Sequence, residues 1–206
     1  MPHEIAVMTL DGRAYYRIMN MLKEMGLKFH NVMPGEVLSP SVRLVITTEK
    51  EKNLISHDKV LFLEELSKDP YLAKERIIDN LYSNSDESII IGIDPGKRIG
   101  IAVYYRQKEL MGDVLNSVDE TISKVVRLMM STHAKKKIIR IGNGEPEMAE
   151  KIANELSKRL KNTIIELVDE RGTSSLSKIK PSKKVVRDQR SAMIIALRQG
   201  KRYFGD

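Results

Sequence analysis

The chain contains no cysteine and no tryptophan, and only three phenylalanines. Without cysteine there is no disulfide framework, no thiolate nucleophile and no Cys-bound zinc. The four histidines, His3, His30, His57 and His133, are scattered without ligand spacing, so any metal is expected on oxygen. No apolar run reaches the roughly 18 residues of a membrane span, and Met-Pro-His-Glu-Ile at the start has no signal-peptide layout. A cytoplasmic protein without membrane contact is expected. Internal repeats and long low-complexity tracts are also lacking. What is present is 206 residues with 41% apolar content, enough to bury a core and too apolar for disorder.

The net charge of +7 is unevenly spread. Residues 1 to 87 hold 11 Lys and Arg against 14 Asp and Glu, a net −3, whereas residues 88 to 206 hold 24 against 14, a net +10. A basic half joined to a mildly acidic one suggests that the second half meets phosphate. Residues 83 to 88, Ser-Asn-Ser-Asp-Glu-Ser, carry no apolar side chain and read as a linker between separate cores. The expected organisation is a small α/β domain over 1–83, a linker over 84–88 and a second domain over 89–206.

In the first domain, residues 4 to 10 read as a strand, and Asp11-Gly12 leads into a helix ended by Gly26. Tyr15, Ile18, Met19, Leu22 and Met25 give that helix one apolar stripe at helical spacing. Strands are expected at 27–33, 42–47 and 59–63, with a polar stretch at 49–58, then a helix from Pro70 to Tyr82 capped by Asp69. Nothing in this half has a catalytic pattern. Its first strand-to-helix turn has a single glycine and no phosphate-cradling pattern.

The second domain opens on Ile-Ile-Ile-Gly-Ile-Asp-Pro-Gly at 89–96. The apolar run fits a buried strand, Pro95-Gly96 supplies turn chemistry, and a second β-rich run follows at 99–105, so a hairpin is expected with Asp94 at its mouth. A third strand at 109–115 comes next. A helix opens on the capping pair Ser117 and Glu120, followed by a strand at 138–141, a helix from Pro146, a strand at 163–168 and a helix from about 184 to 199. The order β-β-β-α-β-α-β-α implies a mixed sheet with helices on it. Asp94, Glu170 and Asp188 all leave the apolar framework where loops meet. Such carboxylates can converge on Mg²⁺ or Mn²⁺, which take oxygen ligands. Each also has a plain reading: a turn-starting Asp, a Glu paired with Arg171 or a lysine, and an acid favoured by a helix start.

Ile-Gly-Ile-Asp-Pro-Gly at 91–96 resembles the opening strand of RuvC-type Holliday junction resolvases. Asp94 through Val103 is closer still to the YqgF-type relatives in the ribonuclease H-like superfamily. The similarity extends to the glycine turn at 142–144, to Asp169-Glu170-Arg171 followed by Thr173, and to Asp188 ahead of an apolar helix, over residues 88–204. An archaeal family of uncharacterised predicted nucleases is a natural home for it. The resemblance implies a ribonuclease H-like mixed sheet and a metal-dependent nuclease acting on structured DNA or RNA. In that reading Asp94, Glu170 and Asp188 are catalytic and hold Mg²⁺ or Mn²⁺. Nucleic acid is then expected along Lys97, Arg98, Lys178, Lys180, Lys183, Lys184, Arg187 and Arg190, which border the acids in sequence. Ile141 and Ser191 stand where RuvC itself has acids, which counts against junction resolution. Two other readings remain: a non-catalytic nucleic-acid-binding module, and an actin-like or sugar-kinase-like ATP-binding protein. Residues 1–83 fall outside the resemblance and are expected to meet a protein partner or a second copy of the chain.

Overall fold

Two-sided apolar runs become the centre of each sheet. The structure is a computed structural model that describes residues 3–82, 86–169 and 187–205, and the chain divides into two units, Met1–Ser83 and Asn84–Asp206. In the first unit β1 (Ile5–Val7), β2 (Phe29–Asn31), β3 (Leu44–Thr47) and β4 (Val60–Phe62) form a parallel sheet in the order β2-β1-β3-β4. Parallel sheets bury both faces, and the period of two divides these strands accordingly. Ile5, Val7, Leu44, Ile46 and Leu61 meet α1 (Gly12–Glu24) through Ile18 and Leu22, and α2 (Pro70–Leu81) through Ala73, Ile77 and Leu81. The opposite side, with Ala6, Met8 and Val45, is covered by Val32, Leu38, Val42 and Ile55 from the connecting segments.

The helix starts follow the capping rules. Asp11 accepts the N–H groups of Arg13 and Ala14, and Asp69 accepts that of Tyr71 with Pro70 in the first turn, where its missing N–H costs nothing. The polar stretch after β3 is not a plain loop. It holds a 3₁₀ helix at Glu49–Leu54, which returns a carboxylate to the strand ends.

In the second unit β5 (Ser88–Asp94), β6 (Ile99–Tyr105) and β7 (Lys108–Leu115) form an antiparallel meander. Then come α3 (Val118–Ser131), β8 (Lys136–Gly142), α4 (Pro146–Arg159), β9 (Ile164–Val168), α5 (Arg187–Leu197) and β10 (Lys201–Arg202). The sheet order is β10-β9-β8-β5-β6-β7, with β8 and β9 parallel to β5 and β10 antiparallel to β9. Several element ends differ from the sequence reading by a few residues, and two differences have a local cause. β5 begins at Ser88, inside the polar interval, because Ser88 pairs with Lys136 of β8. The two-residue β10 escapes because Lys201-Arg202 has no apolar alternation; its pairing to Leu167 and Glu166 is what makes it a strand. The β6–β7 hairpin turns through Arg106 and Gln107 at φ 49° and 63°, both left-handed, as a two-residue turn of this hand requires.

Three glycines let α5 lie directly on this sheet. A Cβ at Gly92 of β5 would meet the backbone N of Ala196 at 2.6 Å, one at Gly100 of β6 would strike the Asp188 backbone carbonyl, and one at Gly112 of β7 would strike the Gln189 side chain. Ala102, Ala192 and Ala196 continue the contact, with Ile90, Tyr104 and Met193 filling it. At the far end of α5 the buried Arg140 of β8 donates through Nη1 to the Ala196 carbonyl at 2.7 Å and through Nε to Glu166 at 2.8 Å. One of the helix's last carbonyls is thereby satisfied. Because α5 meets Gly92 through backbone, it has no flexible atom to move aside. Gly92→Ala is expected to destabilise the second unit by about 3 kcal/mol in urea unfolding, at the upper end of overpacking costs; wild-type stability in that variant would mean that the helix does not rest on the strand.

Candidate functional site

Asp94 ends β5 in register with Gly100, and the first turn of α5, with Asp188, passes over Gly100. Asp94 is two residues from Gly92 and so lies on the face that α5 covers. Two of the three expected acids therefore share one face at one end of the sheet. Glu170 lies outside the described residues. The Asp188 carboxylate, 24% exposed, is paired with the Arg98 guanidinium at 2.6 Å, and its place in the first turn of a helix already suits an acid. Among the described residues no group of three His, Cys, Asp or Glu side chains gathers as metal ligands. Of the expected basic surface, Lys97, Arg98 and Arg187 are exposed and Arg190 is half-buried; Lys178, Lys180, Lys183 and Lys184 lie outside the described residues.

The first unit, where sequence reading found nothing chemical, holds a more complete polar site. The chain runs from β1 through α1 to β2 on one side and then places β3 on the other side of β1, so the strand order reverses between β1 and β3. Open α/β sheets bind ligands outside the carboxyl ends of strands at such a switch point. Here that place holds the buried carboxylate of Glu51, from the 3₁₀ helix after β3. Its Oε2 accepts the hydroxyls of Thr9 at 2.5 Å, Thr48 at 2.6 Å and Thr47 at 3.4 Å, and its Oε1 accepts the backbone N–H of Leu10 at 2.6 Å. Thr9 also accepts the Asp11 N–H at 3.1 Å, tying the group to the start of α1. Thr47 is fully buried and Thr48 nearly so.

Burial alone raises the Glu51 carboxyl, but the hydrogen bonds from Thr48, Thr9, Leu10 and Thr47 outweigh it and hold the group below its ordinary value; no charged neighbour contributes. One signal for this site was present in the sequence: Thr48 and Glu51 stand three residues apart, the spacing of a capping box after a buried strand. The partners Thr9 and Leu10, about 40 residues away, have no such signal.

A carboxylate whose folded pKa is lowered contributes stability above its unfolded pKa and loses it as the pH falls through the folded value. The first unit is therefore expected to weaken as the pH drops below about 4.5, the ordinary value of the group. Glu51→Gln removes the charge from a set of donors, and at pH 7 is expected to cost roughly 1.5–3 kcal/mol, the range for hydrogen bonds to charged groups. The gap to wild type is expected to narrow toward pH 3. Urea unfolding of both proteins between pH 3 and pH 7 checks this; a gap independent of pH would separate the Glu51 charge from stability.

The comparisons with known proteins place the likeness in this same unit. Residues 4–79 match the family model of a response regulator receiver-like domain. No curated protein matches the chain. The family match overturns the expectation of a RuvC- or YqgF-type nuclease, and with it the two alternatives of a nucleic-acid-binding module and an ATP-binding protein. The physical ground for the change lies in the motif itself. Gly92 and Gly100, two of its glycines, are needed for the approach of α5, and Asp188 is engaged with Arg98. Residues 4–79 are similar to a response regulator receiver-like domain, and in this chain Glu51 occupies the switch point of that unit.

Proposed function

We propose that the chain is a signalling protein in which residues 4–79 form a receiver-like input module and residues 84–206 form the unit that carries the response. The observation that carries this reading is the coincidence of the family match with a parallel sheet of order β2-β1-β3-β4 whose switch point holds the Glu51 hydrogen-bond cluster. Signalling modules act through contacts, and several large apolar side chains stand exposed in segments leaving the carboxyl ends of the strands: Leu10 after β1, Met33 and Val37 after β2, and Leu54 after β3. Single exposed apolar residues are common, but four in segments that leave the same sheet edge suit a surface read by a protein partner. The partner of the module is thus a protein that meets residues 1–83.

For the second unit we propose a ribonuclease H-like strand arrangement as a matter of fold and not of activity. Three antiparallel strands followed by two strands parallel to the first support it. In a two-unit signalling protein the state of the first unit must bias the second, which is a coupling free energy between them. The double variant Thr9→Val with Thr48→Val releases two of the bonds on Glu51 and leaves the sequence of residues 84–206 unchanged. In the full chain it is expected to change amide hydrogen exchange by several-fold in at least one element of the second unit, β5 to β7 or α5. Exchange that changes only within residues 1–83 would overturn the input–output reading.

A further inference from the structure

Glu51 is held as a ligand is held. Its donors come from two segments that meet only through the fold: the turn after β1, with Thr9 and the Leu10 N–H, and the end of β3, with Thr47 and Thr48. Both carboxylate oxygens are served, and every donor is neutral. Three hydroxyls on one oxygen and one N–H on the other form an oxyanion seat, since an acceptor bearing negative charge is what such a set stabilises most. Thr47 and Thr48 are buried, so without an acceptor there their hydroxyls lose the partner that burial requires. The seat lies at the place where sheets of this order take external ligands.

We infer that Glu51 is the built-in ligand of this seat: its carboxylate occupies a site for a small oxyanion, and the first unit stands in its anion-occupied state with no external anion bound. The regulatory meaning rests on the signalling reading above, but the seat itself rests on the hydrogen bonds alone. Tethered in the chain, Glu51 is present at a high effective concentration, so an external carboxylate does not compete with it at neutral pH. Its removal turns the same donors into a site for a free planar oxyanion such as formate or acetate. A signal would then enter by undocking the 3₁₀ segment Glu49–Leu54, through acid or through a partner that draws it away, and not by filling an open pocket.

Chemical rescue in the full chain tests this. Wild type, Glu51→Ala and Glu51→Gln are titrated with sodium formate at pH 7 against sodium chloride of equal ionic strength, following the Leu10 amide resonance and thermal unfolding. In Glu51→Ala the Leu10 resonance is expected to move saturably with formate and not with chloride. Formate at about ten times its dissociation constant should raise the folded-to-unfolded ratio about tenfold. Wild type and Glu51→Gln, whose seats are filled by a side chain, are expected not to respond. Should Glu51→Ala be unfolded in chloride, recovery of its far-ultraviolet circular dichroism in formate supports the seat, and failure to recover overturns it. A Glu51→Ala protein that folds but responds to formate no more than wild type also overturns it, leaving Glu51 as a strut between two loops. These outcomes do not depend on residues 84–206, so they stand apart from the test of coupling between the units.

Discussion

β1 and β3 in the first unit and β5 in the second are apolar on both faces and carry polar groups only at their ends, and that constraint places the polar sites of both units. The buried Arg140 within β8 is held by its pairing with Glu166. In the first sheet Ile5, Val7, Leu44 and Ile46 face the helices while Ala6 and Val45 face the connecting segments, which leaves no side of β1 or β3 for a polar group. Thr9, Leu10, Thr47, Thr48 and Glu51 therefore collect beyond the last apolar residues. In the second sheet β5 is apolar from Ile89 to Ile93, and its first carboxylate, Asp94, comes where the strand stops.

The two strand-end sites settle their carboxylates differently. Asp188 meets a guanidinium through Oδ2, which is shielded from solvent, while the Arg98 side chain is about half exposed. Glu51 meets four neutral donors, two of them the buried Thr47 and Thr48, and bonds made out of solvent are stronger and costlier to lose. The first unit thus holds the more fully hydrogen-bonded of the two carboxylates. It is also the unit with the receiver-like match.

Much of the scaffold was legible because local rules and tertiary structure agree on it. Asp69-Pro70 starts α2, Ser117 accepts the Glu120 N–H at 3.2 Å at the start of α3, and of the expected α1 stripe Ile18, Leu22 and Met25 are buried while Tyr15 and Met19 are half-buried. The misreading came from a motif with two physical origins. Ile-Gly-Ile-Asp-Pro-Gly resembles a nuclease strand, yet Gly92 and Gly100 answer to the backbone of α5, which no spacing along β5 and β6 reveals. The site in the first unit was missed for the complementary reason: Thr9 and Glu51 are each unremarkable in their own segment.

The sequence by itself determined the two-part division of charge, the hairpin at Asp94, the helix starts and the alternation that builds two α/β units, since these depend on neighbours within a few residues. Only the tertiary structure decided which strand ends meet. The reversal of strand order between β1 and β3 brings residues 9 and 10 to residues 47, 48 and 51, and α5 crosses three strands on glycine. Those outcomes depend on where chains cross and on how closely backbones approach, which are set by packing between segments far apart in the chain.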